Sequence, residues 1–353
     1  MKYKLAECAE IISGGTPKRT KKEYWNGNIP WITVKDFEGK FIEYTDEKIS
    51  KLGLENSSVN VTEDQDILIS ARGTVGKIAM VYQGCTFNQS IYGLRVHRDI
   101  IMPDYLYYWL ICHVSMIRQN THGSVFNTIT KETFSHLVIE VPSLEEQKKI
   151  VKKINPFDEK IALNNQINDN LAKLKTEIFN NMFDSKLKYH LNGKLQDITK
   201  ITTGKRPRVK SNIRKSNNKY PIIGASKIMG YTSEYLYNDS IITTGRVGTH
   251  GIVQRFREPV WVSDNSFVFI TEHEDYLYEI LSHRINYDAI NTGSTQPLIT
   301  QTNLKNIDIY VPTKKQFQNF ENKTFFITTQ QFIFKQQNNL LRRIKSQMLK
   351  KFF

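Results

Sequence analysis

Two halves of this chain spell out the same short motifs in the same order, and that internal repeat limits the possible folds more than any other feature. Asp104-Tyr-Leu-Tyr-Tyr-Trp-Leu110 answers Asp275-Tyr-Leu-Tyr-Glu-Ile-Leu281, with five identities in seven positions at an offset of 171. Gly73-Thr-Val-Gly76 matches Gly245-Arg-Val-Gly248 at 172, and Asn88-Gln-Ser90 faces Asp264-Asn-Ser266. Gly123-Ser124, Ile129-Thr130 and Val141-Pro142 recur as Gly293-Ser294, Ile299-Thr300 and Val311-Pro312, all at 170. A chain of 353 residues therefore reads as two units of similar plan, each large enough for its own core.

Within the first copy, short β-rich runs (Ile29 to Val34, Asp66 to Ser70, Lys77 to Tyr82, Leu137 to Val141) alternate with Gly, Pro and Asn turns. One helix interrupts them, from Pro103 to Ile117, with a counterpart near Asp275 to Ile285. After each Val-Pro the pattern becomes helical: Ile161, Ile167, Leu171, Leu174 and Ile178 mark a seam in the first copy, and Phe334, Leu341, Ile344 and Met348 mark one in the second. Asn155-Pro156 divides the first stretch, with Asn155 read as a cap and Pro156 as a first-turn residue, because an interior proline costs about 3 kcal/mol. Phe157 to Phe183 as one helix spans about 40 Å, close to a turn of B-DNA. The two counterpart helices are expected to pair; packing of each on its own domain is the alternative. The fold class is α+β, two mostly-β domains with an embedded helix in tandem repeat, separated by two long antiparallel coiled-coil helices. The boundaries are 1–142 and 191–312 for the β-rich domains, and 143–190 and 313–353 for the helical regions.

The charge points to a polyanion. The net charge is +14, and Lys200 to Ser233 holds nine basic residues and no acidic one. A solvated loop is the plain alternative for that run. No apolar stretch has the length of a membrane span, and Met1 to Glu10 lacks the apolar block of a secretory signal, so a soluble cytoplasmic protein is expected. Cys8, Cys85 and Cys112 are widely spaced, which suggests neither disulfides nor a structural metal.

For reading DNA the useful side chains are Arg and Lys for guanine or phosphate, Asn and Gln for adenine, and Ser or Thr for either. The turns of the first copy supply Thr16, Lys18, Arg19, Arg72, Lys77, Asn88, Gln89, Ser90, Ser124 and Asn127. Those of the second supply Lys205, Arg206, Arg208, Lys210, Arg246, Asn265, Ser266, Ser294 and Gln296. A self-satisfied β-turn is the competing reading of Asn88-Gln-Ser90. Ala71 to Lys77 approaches a phosphate-binding loop, but Ile78 stands where Ser or Thr would hold magnesium, so a strand-to-strand glycine turn is the better reading. Eight histidines are scattered without a His-Glu-x-x-His helix, and no carboxylate-plus-lysine nuclease cluster stands out, so no catalytic residue is assigned.

Over essentially its whole length this organisation resembles the specificity subunits of Type I restriction-modification enzymes. The resemblance rests on Ile12-Ser-Gly-Gly-Thr-Pro17, Arg72-Gly-Thr-Val-Gly76, Asn88-Gln-Ser90 and Val141-Pro142 before Glu146-Gln147. It implies two target-recognition domains reading a split, asymmetric double-stranded DNA target. It also implies two methyltransferase subunits using S-adenosylmethionine on adenine, and two restriction subunits using ATP and magnesium, with no cofactor, metal or catalytic centre in this chain. The second copy departs from the pattern: Gly204-Lys-Arg-Pro207 replaces Gly-Gly-Thr-Pro, and only Gln316 stands after Val311-Pro312, read as starting its helix as Gln147 does. A stand-alone two-domain DNA-binding regulator is the alternative; an independent nuclease or ATPase is a third reading.

Overall fold

The computed structural model describes residues 1–119, 128–293 and 297–353. The first copy runs β1 (Lys2–Lys4), α1 (Leu5–Cys8), β2 (Ala9–Ser13), β3 (Trp25–Ile32), β4 (Glu47–Ile49), α2 (Lys51–Glu55), β5 (Ile67–Ser70), β6 (Ile78–Met80), β7 (Thr86–Phe87) and β8 (Ile91–Val96). It continues with α3 (Pro103–Gln119), α4 (Lys131–His136), β9 (Val138–Glu140) and the long helix α5 (Leu144–Tyr189). The second copy runs β10 (Gly193–Lys194), β11 (Lys200–Thr203), β12 (Tyr220–Ile223), β13 (Ile228–Thr232), β14 (Ile241–Gly245), β15 (Gln254–Phe256), β16 (Trp261–Val262) and β17 (Ser266–Ile270). Then come α6 (Glu274–His283), α7 (Gln301–Lys305), β18 (Asp308–Ile309) and the second long helix, α8 (Lys314–Phe352).

The two copies share one topology. A four-stranded sheet has the order β2-β8-β5-β6 in the first and β11-β17-β14-β15 in the second. Three-stranded sheets β4-β3-β7 and β13-β12-β16 also match, each with one parallel pair, β3 with β7 and β12 with β16. Terminal pairs β1-β9 and β10-β18 close each copy. Strands this short, buried on both faces as at Ile67–Ser70 and Ile241–Gly245, explain why the sequence shows continuous apolar runs there rather than alternation.

The chain divides into two compact units, Met1–Gln166 with Lys335–Phe353, and Ile167–Phe334. Each long helix therefore gives one half to each unit. Within the first unit α5 and α8 run antiparallel: Lys345 Nζ meets Asp158 Oδ1 at 2.5 Å, and Asn164 Nδ2 donates to Asn338 Oδ1 at 2.8 Å. Within the second, Phe179 packs on Phe320 and Gln331 donates to the Asn168 carbonyl, again antiparallel.

Several sequence expectations need correction. Pro156 lies inside α5, which at 46 residues is about 69 Å long. Asn155 does not cap a helix there, because its Oδ1 accepts from Lys40 Nζ and from Tyr108 Oη at 3.1 Å, while its Nδ2 donates to Glu159. Burial of Val151 and Ile154 in the unit core carries the helix past the proline. Leu174 is 51% exposed rather than part of the seam; the neighbouring Lys175 takes the inward position at 3% exposure. Ile161, Ile167, Leu171, Ile178, Phe334, Leu341, Ile344 and Met348 are half-buried. Gln316 is not the counterpart of Gln147. Its Oε1 accepts from the Thr313 backbone N–H at 2.9 Å, as a third-position capping residue, which matches Glu146. Gln147 instead is fully buried, accepting from Met102 N–H and donating to the Ile100 and Pro142 carbonyls, and Phe317, stacked on His273, fills the matching place in the second copy.

Lys175 belongs to a buried polar cluster. Its Nζ lies 3.6 Å from Asp275 and 3.8 Å from Glu279 on α6, while Arg255 Nη1 donates to Asp275 at 2.7 Å and Thr324 and Thr328 of α8 complete that carboxylate. Burial pushes the Asp275 carboxyl up, but Arg255, Lys175 and Thr328 outweigh it and hold the group below its ordinary value. Burial raises Glu279 and lowers Lys175. Replacing Lys175 with Ala leaves two buried carboxylates short of a partner, and is expected to cost about 3–5 kcal/mol, read as a lower calorimetric midpoint. An unchanged midpoint contradicts this role for Lys175.

Candidate nucleic-acid interface

Matched backbone hydrogen bonds set the true register of the two copies. Ala71 N–H donates to the Ser90 carbonyl at 2.7 Å, and Arg246 N–H to the Asn265 carbonyl at 2.8 Å. Ile129 N–H donates to Ala71 O and Ile299 N–H to Arg246 O, so the Ile-Thr motif staples each glycine turn to the short helix that Thr130 or Thr300 caps. Arg246 thus answers Ala71, Gly248 and Gly251 answer Gly73 and Gly76, and Ser263-Asp-Asn265 answers Asn88-Gln-Ser90. Gly73, Gly76, Gly248 and Gly251 all hold φ between 71° and 80°, the left-handed region that a side chain disfavours, which makes Gly-Thr-x-Gly the shared turn. The sequence pairing with Gly245-Arg-Val-Gly248 is three residues out, and that with Asp264-Asn-Ser266 one residue out.

That slip decides one candidate. Ser266 is fully buried at the start of β17, matching Ile91 rather than Ser90, so its side chain faces the core and not a ligand. A one-residue shift along a strand moves a side chain to the opposite face. Asn265, the true counterpart of Ser90, is exposed.

In the first unit the candidates converge. Arg72, Lys77, Asn88 and Ser90 line one cleft of about 470 Å³ together with Thr33, Lys35, Asp46, Glu47 and Thr74. Lys77 is tethered by its Nζ to the Val34 carbonyl at 3.0 Å, whereas Arg72 is exposed. Asn88 Oδ1 accepts from Ser90 N–H at 3.0 Å in an Asx turn, and that bond uses only the oxygen of its amide. Thr16 Oγ1 donates to Gln89 Oε1, joining two candidates 73 residues apart. The Gly14-Gly15 strand end crosses directly over this turn: a Cβ on Gly14 would sit 2.0 Å from the Asn88 carbonyl oxygen, and one on Gly204 2.3 Å from that of Ser263. A tryptophan indole N–H ties down the next carbonyl in both copies, Trp31 to Gly15 at 3.1 Å and Trp261 to Lys205 at 2.6 Å. Lys18 is exposed, while Arg19 is paired with Glu47 and stacked on Trp25. Glu47 was missed because attention to cations and amides in turns passes over a carboxylate at a strand start, and Trp25 because it passes over an aromatic at another.

In the second unit Lys205, Arg206, Arg208 and Lys210 lie on the acid-free segment; Lys205, Arg208 and Lys210 are exposed, as are Arg214, Lys215 and Lys227, while Arg206 is exposed too and Lys219 shares the segment. Arg246 is half-buried. Ser124, Asn127, Ser294 and Gln296 lie outside the described residues. The supposed phosphate-binding loop joins antiparallel strands β5 and β6, so no helix N-terminus follows it to receive phosphate, and the nucleotide-site reading is set aside. Among the described residues, no cluster of three or more His, Cys, Asp or Glu is placed to hold a metal ion, and no helix is long and apolar enough to cross a membrane.

The profile of one family, the Type I restriction modification DNA specificity domain, matches residues 1–173 and again 191–351. The chain belongs to this family. Its similar relatives include the MjaIX specificity subunit of Methanocaldococcus jannaschii, 30% identical over 185 residues covering 51% of this chain and 43% of that protein. The EcoprrI specificity subunit of Escherichia coli is 25% identical over 334 residues, covering 88% of this chain and 82% of that one. The crystal structure of the S subunit from M. genitalium has the same fold, with a TM-score of 0.58 at 18% identity, covering all of this chain and 96% of that one. Family membership makes this chain a DNA-recognition protein rather than an enzyme.

Replacing Lys205, Arg206, Arg208 and Lys210 together with Ala is expected to weaken DNA binding uniformly across sequences. The slope of log K against log salt should shallow by about 0.9 for each phosphate that is no longer neutralised. An unchanged slope removes this segment from the interface.

Proposed function

We propose that this chain is the DNA-reading specificity subunit of a Type I restriction-modification complex. It recognises a bipartite, asymmetric double-stranded target and directs adenine-N6 methylation or restriction by partner subunits. The observation that carries this reading is the pairing of one topology with two unlike surfaces. The same Gly-Thr-x-Gly turn and strand-end crossing recur in both units, but the first frames a cleft of mixed charge and the second an acid-free cationic segment. Two unlike surfaces on one frame suit two unlike half-sites.

In this proposal residues 1–142 and 191–312 are the two recognition domains, and 143–190 and 313–353 the helical regions that space them and receive partners. Phe325 and Phe326 on α8, 70% and 67% exposed, support a protein partner on the helices over a stand-alone regulator. The partners are two methyltransferase subunits, which bring S-adenosylmethionine, and two restriction subunits, which bring ATP and magnesium. The setting is the cytoplasm.

The test is co-expression with the neighbouring methyltransferase gene product, followed by genome-wide mapping of N6-methyladenine with and without this chain. Methylation at a split, non-palindromic motif that vanishes without the chain is expected. Unchanged methylation, with the chain monomeric and binding DNA by itself, overturns the proposal in favour of the regulator.

A further inference from the structure

Resting on that reading, we propose that Arg19 reads a guanine in the first half-site, with Glu47 and Trp25 as the residues that position it. Arg19 Nη1 and Nη2 both donate to the Glu47 carboxylate, the second at 2.9 Å, and the guanidinium lies 3.7 Å from the Trp25 ring centre and 4.9 Å from that of Trp31. The side chain is nonetheless 53% exposed. The pairing uses two of the five guanidinium donors and leaves the Nε–H edge with its neighbouring N–H, a planar fork suited to the O6 and N7 acceptors of guanine.

Two features distinguish base reading from phosphate binding. A guanidinium neutralised by its own carboxylate gains little from a phosphate charge, but it keeps its hydrogen-bond direction. Its plane is also fixed from two sides, by the bidentate carboxylate and by the indole, so little rotamer freedom remains to be lost on binding. Glu47 lines the same cleft as Arg72, Lys77, Asn88 and Ser90, so Arg19, bonded to it, stands beside that surface. The matching position in the second unit lacks the device. Counting from the matched Gly14 and Gly204, the place of Arg19 falls to Val209, 52% exposed, within a segment that has no acidic residue. The guanine read this way therefore belongs to one half-site only.

The test uses the full chain co-expressed with its methyltransferase partner and reads the methylated motif base by base. Arg19→Ala is expected to leave the split motif recognisable but to make one G·C position in one half degenerate, with discrimination there falling on the order of tenfold to a hundredfold. Arg19→Lys, which keeps the charge without the fork, should relax the same position. Glu47→Gln should relax it partially while leaving the other positions intact, a selective change that a merely structural role would not give. A uniform fall in methylation with the motif unchanged, or full discrimination retained by Arg19→Lys, overturns the assignment in favour of a phosphate contact. An unaltered motif and level with Arg19→Ala reduces the trio to a surface ion pair. If the unmodified chain directs no split motif at all, the underlying reading fails instead, and that result is separable from every variant outcome.

Discussion

One lysine from each long helix, 13% exposed or less, enters a polar cluster beside the Asp-Tyr-Leu-Tyr helix of the other repeat. Lys345, on the helix that follows the second copy, meets Asp158 and sits 5.2 Å from the Tyr108 ring centre in the first unit. Lys175, 170 residues earlier on the helix that follows the first copy, meets Asp275 and Glu279 in the second. Asp104 and Asp275, which open the shared Asp-Tyr-Leu-Tyr motif, each anchor such a cluster, Asp104 through Lys40 and Asp275 through Arg255 and Lys175. Burying a charge is costly unless it is paired and hydrogen-bonded, so these clusters tolerate few arrangements of domain helix against long helix. The Asn164–Asn338 pair adds a polar contact to the seam, a device that fixes register at some expense of stability.

Above that fixed base the surfaces are free to differ. The staple from Ile129 or Ile299, the left-handed glycines and the strand-end crossing at Gly14 or Gly204 hold the turns in place through backbone contacts, which do not depend on the side chains presented. Thr16 with Gln89, and Arg19 with Glu47, can therefore stand in one unit while the other carries Arg206 and Val209 on the same frame. A recognition protein built this way changes its target by changing loops while its core remains.

Much of the fold was legible because the repeat carries the same information twice. The helix at Asp104-Tyr-Leu-Tyr, the start of a long helix after each Val-Pro and the paired helical seams follow from periodicity and matched spacing. What escaped were the places where tertiary contacts override local pattern. Pro156 reads as a helix break, yet the core around Ile154 and the bonds on Asn155 keep α5 continuous. Lys175 reads as solvent-facing beside an apolar Leu174, but its partners come from α6, about a hundred residues away, and no local spacing announces them. The repeat offset itself drifts, from 190 at Gly14 and Gly204 to 175 at Gly73 and Gly248, because the first copy holds extra chain, including α2, between β2 and β5, and then to 170 at Thr130 and Thr300 through further extra residues, most of them between β8 and α3. Pairing short identities across this drift therefore misplaced the glycine turn and Ser266. The cleft candidates were legible by type, but the Glu47 and Trp25 that position Arg19 were not, since their role exists only once β3 and β4 are paired.

On the proposed function, two recognition domains on one frame read their half-sites independently, and exchanging residues 191–312 for the matching segment of another specificity chain tests this most directly. With the methyltransferase partner present, mapping N6-methyladenine should show one half of the motif replaced and the other retained base for base. Alteration of both halves, in a chimera that still folds and directs methylation, would contradict it.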